Sequence, residues 1–184
     1  PVDRQSAEAE TERLLCRRPP ADATPDYRRL FTEPGIEKWL RPPPMRRFGT
    51  GDLERMLARD RAHWQKHGFG PWCLLDRVTG DFVGRGGINW TVVEGVDMVE
   101  LPWAIHERFQ GQGLATEAAV AAIDVARQVG VEELISLALV ENKASRRVME
   151  KTGLAYRGEV VHAGLNHALY ILELGPSSRA PSGL

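Results

Sequence analysis

Apolar and polar positions along the chain lay out most of its elements. Residues 11–16 are short and apolar enough for a first strand, which Arg17-Arg18-Pro19-Pro20 ends because consecutive prolines cannot continue a ladder. Residues 22–30 and 33–40 read as two short helices or turns, with Trp39 and Leu40 on the expected buried side. Over 52–66, Leu53, Met56, Leu57 and Trp64 form an apolar stripe opposite Arg and Asp positions, and Thr50 or Asp52 supplies the cap. Residues 72–76 and 82–90 pair as a hairpin around the turn residues of 78–81. Residues 92–97 read as a loop or turn and 98–105 as the next strand. Leu114, Ala118, Ala121, Ala122, Val125 and Val129 then recur at helical spacing, ending at Gly130. That helix is alanine-rich and slim enough to pack closely on a sheet. The near-continuous apolar run 134–140 predicts a strand buried on both faces. A helix over 142–152 closes at Gly153, and 154–162 and 167–174 form a last hairpin. The order predicts one α/β domain with a mixed sheet over 11–174, between a loose polar start (1–10) and a Pro/Ser/Gly tail (175–184).

Composition narrows the setting. The 184 residues are 42% hydrophobic and 27% charged, ordinary for a globular protein, and long enough for one sizeable core. A net charge of −1 gives no electrostatic case for nucleic-acid or membrane binding. No run approaches a membrane span, the first twenty residues are charged rather than signal-like, and a cytoplasmic location is expected. Cys16 and Cys73 lack metal-ligand spacing and read as free thiols; no metal site is expected.

Two motifs carry candidate chemistry. Arg108-Phe109-Gln110-Gly111-Gln112-Gly113-Leu114-Ala115 joins a strand to a helix through a glycine turn. Such a junction leaves backbone N–H groups unpartnered at the positive end of a helix dipole, which suits an anion such as a phosphate. It is neither a dinucleotide fingerprint, whose third glycine position here is Thr116, nor a Walker loop. The second motif, Asn142-Lys143-Ala144-Ser145 through Gly153, directly follows the buried strand 134–140. Asn142 and Ser145 either cap that helix, their ordinary use at such a place, or face a ligand across the strand ends. Residues 41–51, with three successive prolines, Arg46, Arg47 and Phe48, are either a connecting loop or a substrate-side wall.

Together, the order strand, Arg-x-x-Gly-x-Gly, helix, strand, Asn-x-x-Ser, helix ending in Glu-Lys-x-Gly resembles the GNAT superfamily of N-acetyltransferases. The branch that acetylates the N-terminal amines of ribosomal proteins is the most similar. Arg13-Leu14, Gly70-x-Trp72, Thr79-Gly80, Gly84 leading to Gly86-Gly87-Ile88, and Thr116-Glu117-Ala118 extend the resemblance over about residues 11–174. It implies an α/β (α+β) GNAT-like domain with a mixed sheet of about seven strands, helices on both faces, splayed at the acetyl-CoA site. It also implies a pyrophosphate held on the backbone of Gln110, Gly111, Gln112, Gly113, Leu114 and Ala115, with Arg108 alongside. The pantetheine arm would lie against Trp103, Ala104 and Ile105, with Asn142 near its end, Ser145 near the sulfur, and Arg146 or Arg147 reaching the adenosine phosphates.

Departures from that pattern are informative. Pro102 sits inside a strand expected to be central, where it removes a ladder hydrogen bond. Met149 stands where many relatives carry a tyrosine acid, so Ser145 becomes the expected thiolate partner. Glu100 is the candidate base for the attacking amine, with Glu117 its rival. His106 reads as a turn residue, and His162 and His167 either line the acceptor side or are solvated. The expected reaction is direct acetyl transfer from acetyl-CoA to a primary amine, either a protein N-terminus or a small molecule. The alternative is a CoA-binding sensor without catalysis. The expected acceptor walls are 41–51, the helix 52–66 and the last hairpin; near-neutral charge argues against a strongly cationic acceptor. A homodimer is compatible with the sequence.

Overall fold

The computed structural model describes residues 7–175. In order, they form β1 (Ala9–Glu10), β2 (Leu14–Arg17), α1 (Thr24–Phe31), α2 (Pro34–Leu40), α3 (Thr50–His67) and β3 (Pro71–Asp76). Then come β4 (Phe82–Gly87), β5 (Asn89–Val93), β6 (Val96–Glu100), β7 (Ala104–Ile105) and α4 (Leu114–Gln128). The chain continues through β8 (Glu133–Leu139), α5 (Lys143–Lys151), β9 (Ala155–His162) and β10 (Leu165–Glu173). The stretch expected to be loose at the start lies partly outside the described residues; within it, β1 pairs with β2 and Ala7 is buried. The tail beyond residue 175 lies outside them as well.

The mixed α/β domain is divided. Two five-stranded sheets run in the orders β1-β2-β3-β4-β7 and β5-β6-β8-β10-β9. Every pairing is antiparallel except β6 with β8. The layer therefore has ten strands among the described residues where about seven were expected, because two expected strands each split and change sheet and β1 precedes the expected first strand. The 82–90 segment leaves the first sheet at Gly87 (φ 98°), passes the fully buried Ile88 and enters the second as β5. The 98–105 segment leaves the second sheet after Glu100, passes Leu101, Pro102 and Trp103, and rejoins the first as β7. Pro102 lies where the chain crosses, the one place in this segment where a missing N–H breaks no ladder. β7 approaches β4 so closely that a Cβ on Gly84 would lie 2.1 Å from the Ala104 carbonyl oxygen. The loop or turn expected over 92–97 narrows to a two-residue turn, Glu94 and Gly95 both having positive φ (48° and 83°), the hairpin geometry that keeps β5 and β6 in register.

The core follows the apolar pattern. Ala118, Ala122 and Ala126 of α4 are buried, so their small side chains allow close packing. Trp72 is fully buried and its indole N–H donates to the Ala7 carbonyl (2.9 Å). A second cluster, including Tyr27, Leu30, Phe31, Leu53 and Leu57, lies beneath α1 and α3. In α2 the buried side is Ile36 and Glu37, not Trp39 and Leu40; Leu40 is 43% exposed. Glu37 faces inward because its carboxylate accepts the Phe48 N–H (2.8 Å) and pairs with Arg47 (2.5 Å), anchoring the 41–49 segment. The helix expected over 52–66 begins at Thr50, and Asp52 reaches back to accept the Gly49 N–H (2.9 Å).

Candidate active site at the divided sheet

The divergence of β6 from β7 opens a wedge between the sheets. β6 meets β8 only at Glu100 opposite Ile135. The Leu101 N–H donates to the Ile135 carbonyl (2.8 Å), and the buried Ser136 hydroxyl donates to the Leu101 carbonyl (2.9 Å). Beyond that point, among the described residues, β8 has a strand partner only on its β10 side, and β7 only on its β4 side. Two open strand edges therefore flank the gap, and Ala104 and Ile105 lie on one of them, with Trp103 just before.

At the end of this gap, a turn leads into α4. His106 is buried, with Nδ1 bonded to Glu33 (2.7 Å), and the Glu107 N–H donates to the same carboxylate (2.9 Å). A single 3-10 turn spans Glu107–Phe109. The Gln110 side chain donates to the Ile105 carbonyl (2.8 Å), and the Arg13 guanidinium donates to the Gln112 carbonyl (2.8 Å). Gly111 and Gly113 have φ of 74° and 80°, the left-handed region that glycine enters without penalty. Nothing lies within 4 Å of where a Gly111 Cβ would be, so room on the protein side is not what demands glycine there. Among the described residues, the backbone N–H groups of 111–116 meet no protein acceptor. They cluster at the start of a 15-residue helix, where the dipole favours an anion. Arg108 is exposed, stacked on Phe109 and 3.5 Å from Asp81.

Across the gap, Asn142 caps α5 by accepting the Ser145 N–H (3.2 Å). This is the ordinary capping use, and it fixes both residues at the end of β8. Ser145 is half-buried and its hydroxyl makes no hydrogen bond among the described residues. Arg146 is tied down by the Tyr170 hydroxyl and the Val140 carbonyl, both at 3.0 Å, while Arg147 is exposed. Met149 is buried.

Glu100 sits at the root of the wedge, opposite Asn89 in β5. Burial pushes its carboxyl above the ordinary carboxylate range, against the opposing pull of Arg85, His167 and Asn89. Arg85 is held in turn by both oxygens of Asp60 (2.7 Å each), which also accepts the Tyr27 hydroxyl (2.6 Å). His63 of α3 donates through Nδ1–H to the Phe69 carbonyl (2.8 Å), and its Nε2 accepts the Trp90 N–H (3.0 Å). That pair of partners fits a neutral ring protonated at Nδ1, and burial lowers its tendency to charge. Glu117, the rival base, is engaged elsewhere: Thr11 and Arg13 bind it at 2.6–2.8 Å and hold its carboxyl low against burial. His162 and His167 contact each other edge to face at the start and end of the last hairpin turn. Both cysteine thiols are buried and pushed up to about 12, which makes them poor nucleophiles. Sequence reasoning missed Arg85, Asp60, Tyr27 and Asn89. The available signal was a lone arginine between glycines in an otherwise apolar strand.

Residues 13–155 match the family model of the acetyltransferase (GNAT) domain. The chain belongs to the GNAT acetyltransferase family. An uncharacterised Bacillus subtilis protein, YkkB, is 31% identical over 122 residues, covering 62% of this chain and 70% of that protein. The structure of an acetyltransferase from Agrobacterium tumefaciens superimposes with a TM-score of 0.77 at 26% identity, covering 90% of this chain and 94% of that one. RimL, a ribosomal α-N-protein acetyltransferase solved in complex with coenzyme A, shares the fold at 15% identity, with a TM-score of 0.68 and coverage of 89% and 95%. The GNAT match contains the glycine turn, the wedge and the Asn142–Ser145 cap. Among the described residues, no helix is long and apolar enough to cross a membrane.

Proposed function

We propose that this GNAT domain transfers the acetyl group of acetyl-CoA to a primary amine by direct attack, both substrates being bound together. The observation that carries the reading is the juxtaposition of an unpartnered N–H cradle with an open strand edge, beside the buried carboxyl of Glu100 where the sheets part. The N–H groups of 111–116 fit a pyrophosphate, and the free edge of Trp103, Ala104 and Ile105 fits an extended amide-bearing arm lying as an additional strand. Asn142 and Arg147 complete the coenzyme contacts in this reading, with Arg108 beside the turn.

When bound, acetyl-CoA supplies an electrophilic thioester carbonyl. Backbone N–H groups at the end of β7 polarise the carbonyl oxygen. Glu100, which burial holds above the ordinary carboxylate range, takes the proton that the acceptor ammonium loses before its nitrogen attacks. Ser145, with its hydroxyl unengaged, donates a hydrogen bond to the departing sulfur. No residue needs to form a covalent link with the acyl group. The acceptor is a protein N-terminal amine or a small amine; RimL, which shares the fold, is named for the first kind.

A thiol-release assay over N-terminal peptides and small amines, run alongside calorimetric titration with acetyl-CoA, tests the reading. Binding with turnover of at least one amine class is the expected result. Tight binding without turnover of any amine would leave a CoA-binding module, and no binding at all would sink both.

A further inference from the structure

A second cleft, of about 540 Å³, lies between the 41–49 segment and the outer face of α3. Its walls combine apolar surface from Phe48, Met56 and Ala62 with the guanidiniums of Arg41, Arg55 and Arg59. Arg41, Arg46 and Arg55 all converge on one carboxylate, Asp52, at 3.2, 2.8 and 2.6 Å. The Gly49 N–H, Arg46 and Arg41 hold that carboxyl well below the usual range, so its charge does not vary near neutral pH. One carboxylate balances only one of three cations. Arg59 has no acidic partner among the described residues, and Arg47 nearby has only Glu37. In a chain whose net charge is −1, this is a local excess of positive charge. Arg41 also lies 4.0 Å over the Phe48 ring, which holds its planar fork in place.

The cleft shares a helix face with the proposed chemistry. Positions 52, 55, 56, 59, 62 and 63 lie on one side of α3, opposite the buried Leu53, Leu57, Asp60 and Trp64. His63 ends this stripe by accepting the Trp90 N–H, and Trp90 adjoins Asn89, the cross-strand partner of Glu100. Arg59 and Met56 precede His63 by four and seven residues, a distance of about 6–10 Å along the helix.

We propose that the acceptor amine carries an anionic group, which Arg55 and Arg59 bind while the amine reaches Glu100. This deepens the transferase reading and rests on it. The anion is a carboxylate of an acidic peptide or the phosphate of a small amine, and the helix face sets its spacing from the amine.

Paired acceptors test this. One pair is an N-terminal peptide with glutamates at its second and third positions against the same peptide with glutamines. The other is phosphoethanolamine against ethanolamine. At least one anionic member is expected to show kcat/KM higher by about tenfold or more, carried by KM. The responding pair identifies the source of the anion. The double variant Arg55→Gln, Arg59→Gln is expected to erase the preference without changing the KM for acetyl-CoA. Equal rates within both pairs, a preference that survives the double variant, or a raised KM for acetyl-CoA would each overturn the proposal. No turnover of any amine would instead overturn the transferase reading. Calorimetric titration of the glutamate and glutamine peptides into the CoA-bound protein then decides the cleft. Tighter binding of the glutamate peptide, lost in the double variant, supports it; equal binding overturns it.

Discussion

The two ends of the wedge are built by opposite means. The end proposed for the coenzyme draws most of its polar groups from backbone in one contiguous stretch, residues 103–116, shaped by two glycines and clamped from outside by Arg13, with Asn142 and Arg147 added from α5 and its cap. The end proposed for the acceptor draws on side chains from separate elements: Glu100 from β6, Arg85 from β4, His63 and Asp60 from α3, and His167 from β10. Backbone groups recognise what is common to every reaction cycle and are indifferent to side-chain identity. Side chains gathered from distant segments can be exchanged one at a time. A fold organised in this way keeps one donor substrate while its acceptor changes.

That contrast can be broken by substitution, beginning with the largest expected effect. Gly113→Val should weaken acetyl-CoA binding by about a thousandfold in calorimetry, because a branched side chain both resists φ of 80° and blocks approach to the N–H groups. Unaltered binding would remove the backbone cradle from the account. Asp60→Ala should cost about 3 kcal/mol in denaturant unfolding, since it leaves Arg85 buried without its carboxylate. A loss confined to turnover, with stability unchanged, would make Asp60 a purely local tuner of Glu100.

Glu100→Gln should lower kcat by about a hundredfold and flatten the acid limb of the pH–rate profile, which lies above the usual carboxylate range in the parent. The sign for stability is opposite. A carboxyl raised by burial stabilises the fold while protonated, and this contribution is lost as pH rises through its folded pKa. The neutral glutamine should therefore raise Tm over the parent by an amount that grows with pH, measured by calorimetric scanning. A profile that keeps its acid limb would assign the base elsewhere. Ser145→Ala should have the smallest effect, about tenfold on kcat with little on KM, because its backbone N–H still meets Asn142. A rise in the KM for acetyl-CoA instead would make Ser145 a binding group.

Legibility from sequence follows the same division. The glycine turn, the alanine-rich α4 and the buried β8 are local patterns, and each stands within a few residues of where periodicity placed it. The divided sheet was not legible from periodicity. Residues 82–90 and 98–105 look like single strands because the apolar pattern continues through Ile88 and Leu101, which are fully buried in the crossings between sheets. The inward turn of Glu37 was missed for a related reason: its partners, Phe48 and Arg47, lie eleven and ten residues away in an irregular segment. Arg85 and Asp60 are 25 residues apart, and nothing in the spacing joins them.

Pro102 gives the wedge a further property. Two strand edges left open side by side would tend to zip together in the absence of a ligand, as unpaired edges do. A residue without an N–H at the crossing withholds one of the donors that zipping would need, and the buried ties of Leu101 to Ile135 and Ser136 fix the chain just before it. The parted edges are thus favoured by the covalent chemistry of the chain itself, and the free edge of β7 has a shape suited to one more strand.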